Sequence, residues 1–181
     1  MNGCFEEIKS AYAAMDAAYD AVADQYGFHC QGCEDNCCTS LFFHHTYVEQ
    51  AYLLSGVAAL PQADQDAARK RAQEYVKQTF DGREIPESQK LLCPLNQDGR
   101  CMVYAQRPMI CRLHGLPHEL NRPGAGKLQS PGCDAGGFQT YIPFDRTPLY
   151  QHMARAEMAY RQTHQLRGKI KKTIAEMLTD T

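Results

Sequence analysis

The chain has 181 residues, 44% of them hydrophobic, and carries 19 basic against 21 acidic side chains for a formal charge of -2. That length supports one ordinary domain with its own apolar core, 1–181, and so small a charge gives no field to gather nucleic acid or anionic lipid. No run approaches the roughly 20 uninterrupted apolar residues of a membrane span, and the acidic opening Met1–Glu7 lacks the basic-then-apolar order of an export signal. A cytoplasmic protein with neither a membrane nor a nucleic-acid partner is expected. In that reducing setting nine cysteines point to metal binding or redox chemistry rather than to disulfides.

Phe5, Ile8, Tyr12, Met15, Tyr19, Val22 and Tyr26 recur at steps of three and four. They predict a helix over 5–26 with one apolar stripe, stopped by Gly27. The stretch His29-Cys30-Gln31-Gly32-Cys33-Glu34-Asp35-Asn36-Cys37-Cys38 follows as a loop, since Gly32, Asp35 and Asn36 suit turns. Thr39 or Ser40 then caps a second helix to about Leu54, carrying Leu41, Phe42, Tyr47, Val48, Tyr52 and Leu53. Cys37 and Cys38 would sit at its entry, where the positive end of the helix dipole favours thiolates. Pro61 opens a third helix to about Phe80, closed by Gly82, with a thin apolar side of Ala68, Ala72, Tyr75, Val76 and Phe80.

Beyond it, Asn96-Gln97-Asp98-Gly99 separates two short apolar segments bearing Cys93 and Cys101, a pattern for a tight hairpin that brings these thiols near each other. Pro108 suits the first position of a short helical turn carrying Cys111. From Gly115 to Pro148 the density of glycine and proline forbids a long regular element, and Cys133 is the residue with an evident anchoring use there. Leu149, Met153, Ala156, Tyr160, Leu166, Ile170, Ile174 and Leu178 predict helix over 148–179, bent or broken near Gly168. The basic block from Arg167 to Lys172 reads as a solvated helix face. The fold class is therefore mainly α: a small helical domain with long irregular metal-bound loops and at most a short hairpin.

Thiolates bind zinc tetrahedrally or ligate iron–sulfur clusters, and Cys30-x-x-Cys33 lets two sulfurs of one loop reach one centre. With Cys37, Cys38, Cys93, Cys101, Cys111 and Cys133 added, the candidate ligands are eight cysteines. Adjacent residues point in different directions, so Cys37 and Cys38 do not serve one metal equally. The eight would fill two four-sulfur sites, or one cluster plus structural or redox-active thiols. His29, His44, His45, His114 and His118 could each add a nitrogen, but so many thiols leave little need for them.

Cys30-x-x-Cys33-x-x-x-Cys37-Cys38, then Cys93-Pro94-Leu95, then Gly99-Arg100-Cys101-Met102-Val103-Tyr104-Ala105-Gln106-Arg107-Pro108-Met109-Ile110-Cys111-Arg112, resembles the CxxCxxCC cysteine-cluster family of YkgJ-like proteins. Pro131-Gly132-Cys133 is similar to its last cysteine, so the resemblance and the expected metal core cover residues 29–135. One departure is that Glu34, Asp35 and Asn36 stand before the paired cysteines where the family's commonest pattern has two residues. The family is described as zinc- or iron-chelating and is often labelled iron–sulfur oxidoreductase. The resemblance thus implies an iron–sulfur cluster of the 4Fe-4S type, with Zn2+ as the alternative, and an electron-transfer role with an unidentified redox or protein partner. Tyr104, Arg107 and Arg112 match family positions and would border the cofactor, an arginine fork offsetting cluster charge or donating to sulfur. The alternative function is a zinc module for structure, metal handling or interaction. A third reading is metal-free thiol chemistry at Cys30 and Cys33. The family's domain recurs in flagellin lysine methylases, but the flanking helices here lie outside the resemblance and no glycine-rich nucleotide loop supports a methylase activity.

Overall fold

The computed structural model describes residues 5–30, 36–80, 90–122 and 124–180. Cys33 and Gly82, expected as a ligand and as a helix stop, lie outside the described residues. Among them are six α-helices and two two-stranded antiparallel hairpins, and 54% of the structure is helical. Contacts divide the chain into two compact units. One comprises 1–37 with 109–167, the other 38–108 with 168–181.

In the first unit α1, Glu6–Tyr26, packs along α5, Thr147–His164. The stripe read from spacing is the buried face: Ile8, Tyr12, Met15 and Val22 are all buried, and Gly27 closes the helix. Leu149, Met153 and Ala156 answer it from α5. The one-turn helix α4, Met109–Arg112, packs on α1. Pro148 stands in the first turn of α5, where its missing N–H costs nothing.

A hairpin that the sequence reading did not anticipate, β3 (His118–Arg122) with β4 (Gly126–Ser130), lies in the glycine- and proline-rich stretch. Its register sets Leu120 opposite Leu128. Gly124, in the turn, and Gly126, the first residue of β4, both take positive φ, so they make the turn rather than interrupt the ladder.

The second unit contains α2 (Tyr47–Ala58), α3 (Gln62–Phe80), α6 (Ile174–Thr179) and the hairpin β1 (Asn96–Gln97) with β2 (Arg100–Cys101). Leu53, Val57, Ala68, Ala72, Leu95, Val103, Ala175, Met177 and Leu178 form its core. The small residues Ala68 and Ala72, each 0% exposed, let α3 approach α6 closely. α6 opens on a capping box, Thr173 accepting from the Glu176 N–H while Glu176 accepts from the Thr173 N–H.

The second helix begins at Tyr47 rather than near Thr39, and Leu41 is exposed rather than part of an apolar helix face. The cause is pairing. His44 donates its N–H to the Lys172 carbonyl at 2.8 Å and accepts from the Lys172 N–H at 3.0 Å, which holds it extended. Thr46 is likewise extended at the cap position. Cys37 and Cys38 therefore lie in a turn well before the entry of α2 rather than at it. The break in the C-terminal helix is also wider than expected. α5 stops at His164, where Gln165 turns left-handed, and α6 starts only at Ile174.

No helix among the described residues is long and apolar enough to cross a membrane.

Candidate metal centre

In the second unit three cysteines share one neighbourhood. The Cys93 N–H donates to the Cys38 carbonyl at 2.7 Å, and the Cys93 carbonyl accepts from the Asn96 N–H at 2.9 Å. Asn96 is the cross-strand partner of Cys101. The turn between the strands is Asp98–Gly99, both at positive φ (52° and 82°). That is the mirror-image geometry that matches strand twist and that Asp-Gly adopts readily. A shift of this turn by one residue would move Cys101 to the other face. Cys93 and Cys101 are both half-buried against the core of this unit.

Arg71, half-buried beside the apolar face of α3, was not singled out in the sequence. Its Nε donates to the Pro94 carbonyl at 2.9 Å, and Nη2 lies 3.3 Å from the Met102 sulfur. It clamps the segment between Cys93 and Cys101. Its spacing, three residues after Ala68 and four before Tyr75, sets it beside the apolar face, but its charge read as solvated. Tyr75, one turn along, has its phenol pushed up, first by burial and then by the charges of Cys93 and Glu176.

In the first unit the four carbonyls that follow α4 are each occupied. Arg146 donates to Leu113 and, at 3.3 Å, to Leu116; the Tyr19 hydroxyl donates to His114 at 3.0 Å; the Cys133 N–H donates to Gly115 at 2.8 Å. An irregular segment so satisfied is a rigid one. It fixes Cys133 relative to Cys111 on α4. Phe28, which precedes Cys30, packs against the Phe138 ring at 5.3 Å and lies beside Gly115, so the chain leading to Cys30 faces the same segment. Cys30 itself is exposed, and Cys37 is half-buried.

Two of the arginines have defined neighbours. Arg107 lies over the Tyr104 ring at 3.8 Å, with Nη1 donating to the Tyr104 carbonyl at 3.0 Å, so these two expected cofactor neighbours are first of all neighbours of each other. Arg112, 5% exposed, pairs with Asp16 at 2.5 Å and lies 4.0 Å over the Tyr12 ring. His44, 3% exposed, is pushed down to about 4 by burial and then by His45, and so is neutral at pH 7. His118 is also lowered, by burial and then by Arg146.

Among the described residues no disulfide joins any of the seven cysteines, and no three Cys, His, Asp or Glu side chains converge closely enough to hold a metal ion. The donor chemistry still fits a soft metal: half-buried thiols, three of them placed by one hydrogen bond and one hairpin register.

The CxxCxxCC family, described as "putative zinc- or iron-chelating domain", matches residues 29–127, just over half of the chain. The chain belongs to this CxxCxxCC family. The match takes in seven of the eight expected ligand positions and ends before Cys133, short of the 135 anticipated from sequence. Metal binding is thus the general property of this CxxCxxCC protein. No curated protein and no solved structure matched the chain.

Proposed function

We propose that this protein is an iron–sulfur protein with a redox or electron-transfer role, its cluster held by cysteines drawn from Cys30, Cys33, Cys37, Cys38, Cys93, Cys101, Cys111 and Cys133. The observation that carries the reading is the thiol group of the second unit, where the Cys93 N–H bonds the Cys38 carbonyl and the Asp98–Gly99 turn sets Cys101 on the adjoining strand. Thiolates gathered by backbone geometry suit a cluster of the 4Fe-4S type, which would supply one-electron chemistry. The chain's own residues hold and screen that group. Arg71 holds the Pro94 carbonyl between two of these cysteines, and a cation from the Tyr104–Arg107 stack, which follows Cys101 in the chain, would offset the charge of the anionic sulfurs. A redox protein would be the partner, in a cytoplasm that keeps the thiols reduced.

A second reading is favoured by the stretch from Asn36 to Thr46, which is held by little regular structure beyond the His44–Lys172 pairing. A structural zinc ion would anchor such a segment. Anaerobic purification followed by metal and sulfide analysis and an absorption spectrum separates the two. A brown protein with acid-labile sulfide is expected. A colourless protein with stoichiometric zinc and no sulfide would overturn the iron–sulfur reading in favour of zinc.

A further inference from the structure

The hydrogen bond between Cys93 and Cys38 constrains more than a ligand set. An N–Cα bond of about 1.46 Å, the 2.7 Å contact, and a carbonyl oxygen about 2.4 Å from its own Cα together limit the Cα···Cα separation to about 6.5 Å. Disulfide-bonded cysteines have Cα atoms about 4.4–6.8 Å apart. The two residues are 55 positions apart in sequence, and both are half-buried rather than sealed within the core. The backbone partner of Cys101 is Asn96, which donates its N–H to the Cys93 carbonyl.

We infer that Cys38 and Cys93 are a redox-active pair that closes into a disulfide when the chain carries no metal and meets a disulfide oxidant of the glutathione type. One thiolate attacks oxidised glutathione, breaking its S–S bond, releasing one glutathione and forming a mixed disulfide. The second cysteine thiolate displaces the other glutathione, and the Cys38–Cys93 bond forms. Two thiols are oxidised, one oxidant molecule is reduced to two glutathiones, and the two thiol protons end on them. The bond removes two of the sulfurs a metal would use, so oxidation and metal loading exclude each other at this pair. That last consequence rests on the metal reading above; the disulfide itself does not.

The test treats the full chain with oxidised glutathione together with dipicolinate, in native buffer and in 8 M urea, and maps the links by mass spectrometry without reduction. In an unfolded chain loop closure favours near neighbours such as Cys30–Cys33. A native-buffer product dominated by Cys38–Cys93, with two thiols lost per chain and the link at least tenfold rarer in urea, is expected. Cys38→Ser and Cys93→Ser should each abolish the link, and Cys101→Ser should leave it. With the chain shown to be metal-free at the time of oxidation, native oxidation that gives neighbour links, a Cys93–Cys101 link, or unreacted Cys38 and Cys93 overturns the proposal. Metal content measured before treatment judges the metal reading separately, because a chain without metal that still forms the pair sinks only that reading.

Discussion

His44 and Arg146 show how single buried residues constrain the fold around the cysteines. His44 sits 3% exposed at the bridge to Lys172, with its imidazole pushed down to about 4 from an ordinary 6.5. The folded form therefore resists a proton that the unfolded chain accepts. Stability contributed by the neutral ring is fully present above pH 6.5 and is lost as pH falls toward 4. Between pH 7.5 and pH 5 this group should cost about 2 kcal/mol. Urea titrations of the parent and of His44→Gln check it: the variant should show the shallower decline, and equal slopes would remove His44 as the cause. None of this was legible in the sequence, where His44 was one of several histidines. Its burial arises from a pairing with a residue 128 positions away. Arg112 was legible as a conspicuous residue, but the partner, Asp16 on α1, could not be read from a one-dimensional pattern.

At the scale of elements, long periodic segments were read well and short ones were not. α1 and α3 followed their spacing almost to the residue because 3.6-residue periodicity over five turns leaves one buried face. The start of α2 was misplaced because Thr39 and Ser40 resemble caps, while the extended pairing of His44 outweighs local preference. The hairpin bearing Cys101 was legible from its Asp-Gly turn; the one from His118 to Ser130 was not, because its glycines read as breakers. The loop around Cys133 carries a sharper demand. Gly132 is at φ +86°, and a Cβ there would stand 2.6 Å from the Gly115 carbonyl oxygen and 2.8 Å from the Pro117 nitrogen. Backbone atoms cannot yield as a side-chain tip can. Gly132→Ala should cost about 2–4 kcal/mol and displace Cys133 from its bond to Gly115. Denaturant midpoint and the alkylation rate of Cys133 measure both effects. A variant with parental stability and unchanged Cys133 reactivity would show that this close approach does not position the thiol.

At the scale of the whole molecule, a metal that binds only the folded chain adds its binding free energy to stability, about 4 kcal/mol when free metal exceeds Kd a thousandfold. For a chain of this size that is a rise in Tm of the order of 10 °C. Chelation with dipicolinate should therefore lower the melting temperature by that amount, and restoring the native metal should return it. An unchanged Tm on complete metal removal would separate the cysteines from fold stability. The family was legible because thiol spacing survives without knowledge of the fold. The distribution of the cysteines was not, since Cys30, Cys37, Cys111 and Cys133 fall in one unit and Cys38, Cys93 and Cys101 in the other.

The interleaving of those two units bears on how the chain is made. α1 is completed by α5, more than a hundred residues later, and the core of α2 and α3 is closed by Ala175, Met177 and Leu178 of α6. Synthesis runs from the N-terminus, so neither core can close before the later helix that completes it has been made. Until those helices emerge, the nascent chain carries its thiols with no completed core to shelter them. Its yield should then track the reducing power and metal supply of the cell at the moment of translation.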